Sequence, residues 1–223
     1  MPQLLSNIRI DVSDKIYLKD PNSSDLGRAI LREALPLIDT LGMERFTFKK
    51  LSAEITTTES AIYRYFESKN RLLLYYLSWY WACLEYQVAF GTANIESNDL
   101  RLEAGIRMIT EGLSSLASAP FDLALLQHVV ISESPKAYCT KEIDNENREG
   151  LYNHFKSLVA RLSILIKDFA PHYAYPNSLA TLLIESLQGQ LFFAEHLPSL
   201  SDLGADDEHR YLFYKELVFR TIA

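Results

Sequence analysis

The sequence predicts an all-α protein: a small three-helix unit with helix-turn-helix spacing near the N-terminus, then a larger α-helical domain. Three observations predict it. Apolar residues recur at helical spacing in segment after segment, and no stretch of useful length alternates as a strand does. Thr47 to Leu74 holds two short amphipathic segments, a tight break between them, and the start of a much longer apolar segment. Proline, glycine and polar clusters punctuate the remainder at helix-length intervals.

The first 22 residues show no sustained period and end in Asp20-Pro21-Asn22, so they read as a flexible arm. Arg9, Lys15 and Lys19 are offset by Asp11, Asp14 and Asp20, which favours a loosely docked arm over one that tracks a DNA groove. Ser24 opens the first helix, with Leu26, Ile30, Leu37 and Leu41 inward and Gly42 suited to its C-terminal end. Pro36 removes one internal hydrogen bond, so a kink or break is expected there.

Thr47 caps the next helix, whose apolar face is Phe48, Leu51 and Ile55. The β-branched run Ile55-Thr56-Thr57 interrupts it. Thr57 or Thr58 caps a second short helix with Ile62 and Phe66 inward, and Ser68 caps a third that begins at Lys69. In helix-turn-helix proteins the second helix enters the major groove. Lys49 and Lys50 fall in the first turn of one helix, and Lys69 and Arg71 in the first turn of another. Cations at a helix N-terminus oppose its partial positive charge, so their recurrence points to a nearby phosphate; singly, each is an ordinary solvated residue.

This stretch resembles the DNA-binding domain of the tetracycline-repressor (TetR/AcrR) family of bacterial transcriptional regulators. The residues that carry the resemblance are Gly42, Phe46-Thr47, Leu51 to Glu54, Ile62 to Phe66, Ser68-Lys69 and Leu72-Leu73. It covers Ser24 to Leu77, about a quarter of the chain. Thr56 stands where the family usually has glycine, and Glu59 where a small or basic residue is common. The resemblance implies phosphate contacts from Thr47, Lys49, Tyr63, Tyr65 and Lys69. It sets Thr57, Thr58, Glu59, Ser60 and Ala61 towards the groove, with Arg64 serving base or phosphate. It also divides the chain into the arm at 1–22, a DNA-binding domain at 23–70, and an effector-binding and dimerisation domain at 71–223.

Asn70 to Phe90 is apolar on nearly every side and so is expected to be buried on every side. Further helices are expected over 100–117, 121–132, 141–169, 178–196 and 206–222, with Asp99 capping the first of them and Leu116 among its inward residues. In the last two, Leu183, Leu187, Gly189, Leu191, Leu217 and Val218 offer broad apolar faces for a homodimer, or pack only within one subunit. The family's interface of paired final helices agrees with the dimer.

Net charge is −7, which argues against a nucleic-acid partner for the molecule as a whole. Residues 1–75, however, hold 11 Lys and Arg against 10 Asp and Glu, whereas the remainder holds 11 against 19. Binding to DNA depends on the local surface, so the near-neutral end remains a candidate. Two isolated cysteines have no metal-ligand spacing and suit a reducing compartment. Neither a signal peptide nor a membrane span is expected, which indicates a cytoplasmic protein with no membrane partner. The five histidines form no i, i+4 pair, and no nucleophile or phosphate-loop motif occurs. No catalytic residue, metal or cofactor is therefore expected.

By resemblance, the acidic domain senses an unknown small molecule. Tyr86, Phe90, Phe121, His128, Tyr152, Phe155 and Phe192 are candidates to line its pocket, although aromatic residues at this spacing are more often plain core. The expected function is a repressor released from a double-stranded operator by a small apolar effector. The alternatives are a DNA-binding dimer with no effector, and an α-helical enzyme or carrier.

Overall fold

The computed structural model describes residues 10–113, 119–204 and 206–223. Among these, ten α-helices carry the fold and there is no strand. They are α1 Asp25–Arg45, α2 Phe48–Glu54, α3 Glu59–Tyr63, α4 Lys69–Thr92, α5 Asn98–Glu111, α6 Leu123–Tyr138, α7 Ile143–Arg148, α8 Asn153–Phe169, α9 Pro176–His196 and α10 Asp207–Ile222. No helix among the described residues is long and apolar enough to cross a membrane. The chain forms two compact units, one of Met1–Tyr80 with Ser115–Asn153, the other of Trp81–Ser114 with His154–Ala223. Helix α4 belongs to both, residues 69–80 to the first and 81–92 to the second.

In the first unit, the Ser24 hydroxyl caps α1 by accepting from the Gly27 N–H at 3.1 Å. Ile30, Leu31, Ala34, Leu35 and Ile38 form its fully buried stripe. The helix does not break at Pro36; the only non-helical dihedrals inside α1 are at Gly42, with φ 69° and ψ 158°. Proline costs the Arg32 carbonyl its donor, but Arg32 is exposed and water can replace it. Gly42 reaches a conformation closed to most residues, and the chain turns there towards α2.

The arm is not loose over the residues described. Val12 and Ile16 are buried, the Leu18 N–H bonds the Tyr65 carbonyl at 2.8 Å, and the Asn22 amide donates to the Tyr75 hydroxyl at 2.9 Å. Met1 to Arg9 lie outside the described residues.

Every residue of α4 from Leu72 to Leu84 is buried, as its all-round apolar sequence requires. In the first unit its Tyr76 hydroxyl donates to the Leu31 carbonyl at 2.6 Å, and Phe121 packs edge-on against Tyr76 and Trp79. In the second unit Trp81 packs on Phe155, and Gly105 of α5 lies where a Cβ would stand 2.6 Å from a Leu165 methyl of α8. Arg107 and Glu208 tie α5 to α10, with the guanidinium 3.7 Å over the Tyr211 ring.

Three helix boundaries differ from expectation. Helix α5 begins after Ser97, not at an Asp99 cap, and stops at Glu111 because Gly112 turns out of the helix at φ 74°. The expected continuation over 114–117, Leu116 included, lies outside the described residues. Helix α6 runs through Pro135 to Tyr138, since a proline late in a helix disturbs only one turn. The expected helix over 141–169 is two helices, parted where Gly150 takes φ 82°.

Candidate nucleic-acid interface

Helices α2 and α3 and their turn have helix-turn-helix geometry. Thr47 caps α2 by accepting from the Lys50 N–H, and Thr58 caps α3 by accepting from the Ala61 N–H, each at 3.3 Å. Ile62 and Phe66 have no exposure at all and anchor α3 to the unit's core, with Phe48 ring-to-edge against Tyr63 at 5.0 Å. What remains outside is a row of short polar groups. Thr47, Lys49, Thr58, Glu59, Ser60, Tyr63 and Arg64 are exposed, and Thr57 and Ala61 half-buried. The Thr58 and Ser60 hydroxyls share a hydrogen bond at 3.1 Å, which orders the start of α3.

The turn contains one strained residue. Thr56 has φ 51°, the only positive φ among the described residues other than glycine. A β-branched side chain is poorly suited to that region. It is held there by the Ile55 N–H bonding Leu51 and the Thr57 N–H bonding Ser52 on either side.

Two residues expected to touch phosphate point elsewhere. Tyr65 is 4% exposed; its hydroxyl lies 2.7 Å from the Ser24 hydroxyl and accepts from Lys19 Nζ at 3.4 Å. The Ser24 bond, aided by the Lys19 ammonium, holds this phenol below the usual tyrosine range against the opposing effect of burial. Lys69 donates to the backbone carbonyls of Met43, Glu44 and Phe46. Lys50 donates to the Arg45 carbonyl at 2.8 Å, and Arg71 bonds Glu149 at 3.3 Å. Three of the four first-turn cations therefore have protein partners. The cause is the end of α1. Its last carbonyls lack helical donors and carry the negative end of the dipole, and Lys50 and Lys69 supply what they lack.

The aromatic candidates for an effector pocket fall into separate clusters. In the first unit, Phe121 packs with Trp79, Tyr152 donates to the Ala137 carbonyl and bonds Glu146, and His128 is hydrogen-bonded to Asp39 of α1. This unit also has a polar cleft of about 420 Å³ lined by Arg71, Glu142, Asn145, Glu146, Arg148 and Glu149. In the second unit, Tyr86 and Phe90 stack on a partly exposed face, Phe155 lies on Trp81, and Phe192 lies against Phe193 and His196.

The expected dimer residues divide. Leu183, Leu187 and Val218 are at most 5% exposed and belong to the subunit's own core. Leu191 and Leu217 are half-buried, and a Cβ at Gly189 would meet nothing within 4 Å. The outward apolar residues of α9 and α10 are Leu182, Leu212 and Phe213, each 45% exposed or more. Sequence reasoning includes Leu212 among the apolar residues of the final helix but misses Leu182 and Phe213, because both helices are apolar over more than one face and periodicity does not say which face meets the core.

The model of bacterial regulatory proteins of the tetR family matches residues 30–76, the span from mid-α1 to α4. No curated protein matches the chain. Solved structures of similar fold include AibR in complex with isovaleryl coenzyme A and operator DNA, 20% identical at TM-score 0.58, the match covering 86% of this chain and 97% of AibR. A bacterial regulatory protein in the tetR family from Rhodococcus RHA1 is 13% identical at TM-score 0.62, covering 90% and 98%. The superantigen PfiT is 15% identical at TM-score 0.58, covering 91% and 97%. At such identities the likeness speaks to the fold, and a shared fold hosts unrelated functions. The helix-turn-helix residues are more specific: over residues 30–76 this chain is similar to the bacterial regulatory proteins of the tetR family.

Proposed function

We propose that the protein is a homodimeric transcriptional repressor that a small, largely apolar effector releases from its operator. The observation that carries the DNA-binding reading is the capped helix α3, anchored by Ile62 and Phe66 with Thr58, Glu59, Ser60 and Arg64 left outside. Thr47, Lys49 and Tyr63 supply phosphate contacts. Thr57, Thr58, Glu59, Ser60 and Ala61 read the groove, Glu59 by accepting from a cytosine amino group. Arg64 serves base or phosphate. Tyr65 and Lys69 act by holding the helices in place.

That a ligand is sensed draws support from AibR, whose complex contains both isovaleryl coenzyme A and operator DNA; the apolar character of the effector rests on the apolar helical interior alone. A ligand held by the second unit can act on DNA binding through α4, which is continuous with the helix-turn-helix. It shifts DNA affinity only by binding the two conformations differently.

The test begins by selecting an operator from a randomised duplex pool with the full chain. Glu59→Ala is expected to relax discrimination at one base pair per half-site by roughly 1–3 kcal/mol, with non-specific affinity held or raised. Acyl coenzyme A thioesters and uncharged apolar compounds are then screened by thermal shift, and stabilising compounds are titrated against the operator complex. Stabilising ligands that leave operator affinity untouched favour a regulator without this effector coupling. Failure to enrich any duplex removes the DNA-binding reading.

A further inference from the structure

Residues 12–22 precede the family-matched segment, yet they are built into the DNA-binding unit. Val12 and Ile16 are buried, and the Tyr17 ring meets the edge of Tyr75 at 6.3 Å. Pro21 lies directly on α1, where a Cβ on Gly27 would fall 2.2 Å from the Pro21 carbonyl oxygen. The Leu18 N–H bonds the Tyr65 carbonyl, so the backbone at Lys19 is set beside the residues that follow the recognition helix. The Lys19 side chain is exposed, and its ammonium is held 5.1 Å over the Tyr65 ring and 3.4 Å from its hydroxyl. That hydroxyl bonds Ser24, the cap of α1, and the exposed Arg64 is next to Tyr65 in the chain. A lysine and the capped N-terminus of α1, joined through the buried Tyr65 hydroxyl, thus lie at one flank of α3, with the exposed Arg64 adjacent in the chain. Lys19 uses one of its three donors on Tyr65. The nearby carboxylates have other partners: Asp20 accepts from the Asn22 N–H, and Asp25 pairs with Arg28.

These are the group types that contact phosphate oxygens and set the register of a protein on a duplex. In helix-turn-helix proteins the helix preceding the recognition helix crosses the DNA backbone, so phosphates flank the groove that α3 enters. We infer that Lys19 is a DNA-phosphate contact, positioned beside the recognition helix by the docked N-terminal segment. The inference rests on the DNA-binding reading above and adds a contact outside the matched helix-turn-helix.

The test is non-specific binding of the full-length chain to a 24-base-pair random-sequence duplex, followed by fluorescence anisotropy over a series of KCl concentrations. Counterion release makes log affinity fall linearly with log salt, in proportion to the phosphates neutralised. Lys19→Ala is expected to bind more weakly and to lower that slope by about one unit per bound subunit, with an unchanged unfolding midpoint. Lys19→Arg should keep the slope. Lys15→Ala, an exposed lysine of the same segment, should match the unsubstituted protein. A Lys19→Ala slope equal to that of the unsubstituted protein overturns the inference, and a lowered midpoint beside it assigns Lys19 to holding the segment. Equal losses from Lys15→Ala and Lys19→Ala also overturn it, because general charge then explains the effect. If the unsubstituted protein shows no salt-dependent duplex binding, the DNA-binding reading fails as well.

Discussion

At the scale of single residues, the turn between α2 and α3 carries a measurable strain. Thr56 sits at φ 51°, where a Cβ crowds the following carbonyl oxygen. A non-glycine residue in that region costs roughly 1–2 kcal/mol. Glycine would remove this cost, but its greater freedom in the unfolded chain takes back roughly 0.5–1 kcal/mol. Thr56→Gly is therefore expected to stabilise the protein by several tenths to about 1 kcal/mol. Urea melts should show a higher midpoint at an unchanged slope. A lower midpoint would mean that the threonine makes a contact worth more than the strain. The need for glycine could be anticipated, since the notable feature of this turn in sequence is the threonine that stands there.

At the scale of elements, Lys69 joins the end of α1 to the start of α4. Sequence alone shows its ammonium at the N-terminus of α4, where the dipole makes it unfavourable by roughly 0.3–1 kcal/mol. The tertiary contact outweighs this. Lys69 bonds three carbonyls at the negative end of α1, and hydrogen bonds to charged groups are worth about 1.5–3 kcal/mol each before screening. Lys69 is half-buried, so a discounted total applies. Lys69→Met keeps the stem and removes the donors, and should destabilise the protein by about 1–2 kcal/mol. The slope of log DNA affinity against log salt should stay at the unsubstituted value under conditions where the variant is folded. A lowered slope with intact stability would return Lys69 to the phosphate contacts.

At the scale of the whole molecule, the dimer is expected to use the outward sides of α9 and α10. Leu183, Leu187 and Val218 are already inside the subunit, so a partner can meet Leu182, Leu212 and Phe213 instead, with Gly189 permitting close approach. Leu182→Glu combined with Phe213→Glu should shift sedimentation equilibrium at micromolar concentration from a dimer to a species near 25.5 kDa, with the helical circular dichroism retained. By contrast, Leu187→Ala opens a cavity in the subunit core and should cost roughly 2–5 kcal/mol of stability. If the double variant still sediments as a dimer, the interface lies elsewhere. If the unsubstituted protein is monomeric, the paired half-site arrangement falls with it.

The sequence by itself determined whatever depends on near neighbours in the chain. Thr47, Thr58 and Ser24 cap helices because a cap needs only the next few N–H groups. The run from Leu72 to Leu84 had to be buried because it has no polar side to show water. Ile62 and Phe66 had to face inward for the same local reason. Tertiary structure decided the partners. Lys69 finds its carbonyls 23 to 26 residues away, and Tyr65 finds Ser24 at a separation of 41. It also decided which apolar face of α9 is core and which is left outside, and turned the expected arm into a docked segment. Periodicity shows that a face is apolar; only the packed chain determines what covers it, because that choice is made by contacts between residues far apart in sequence.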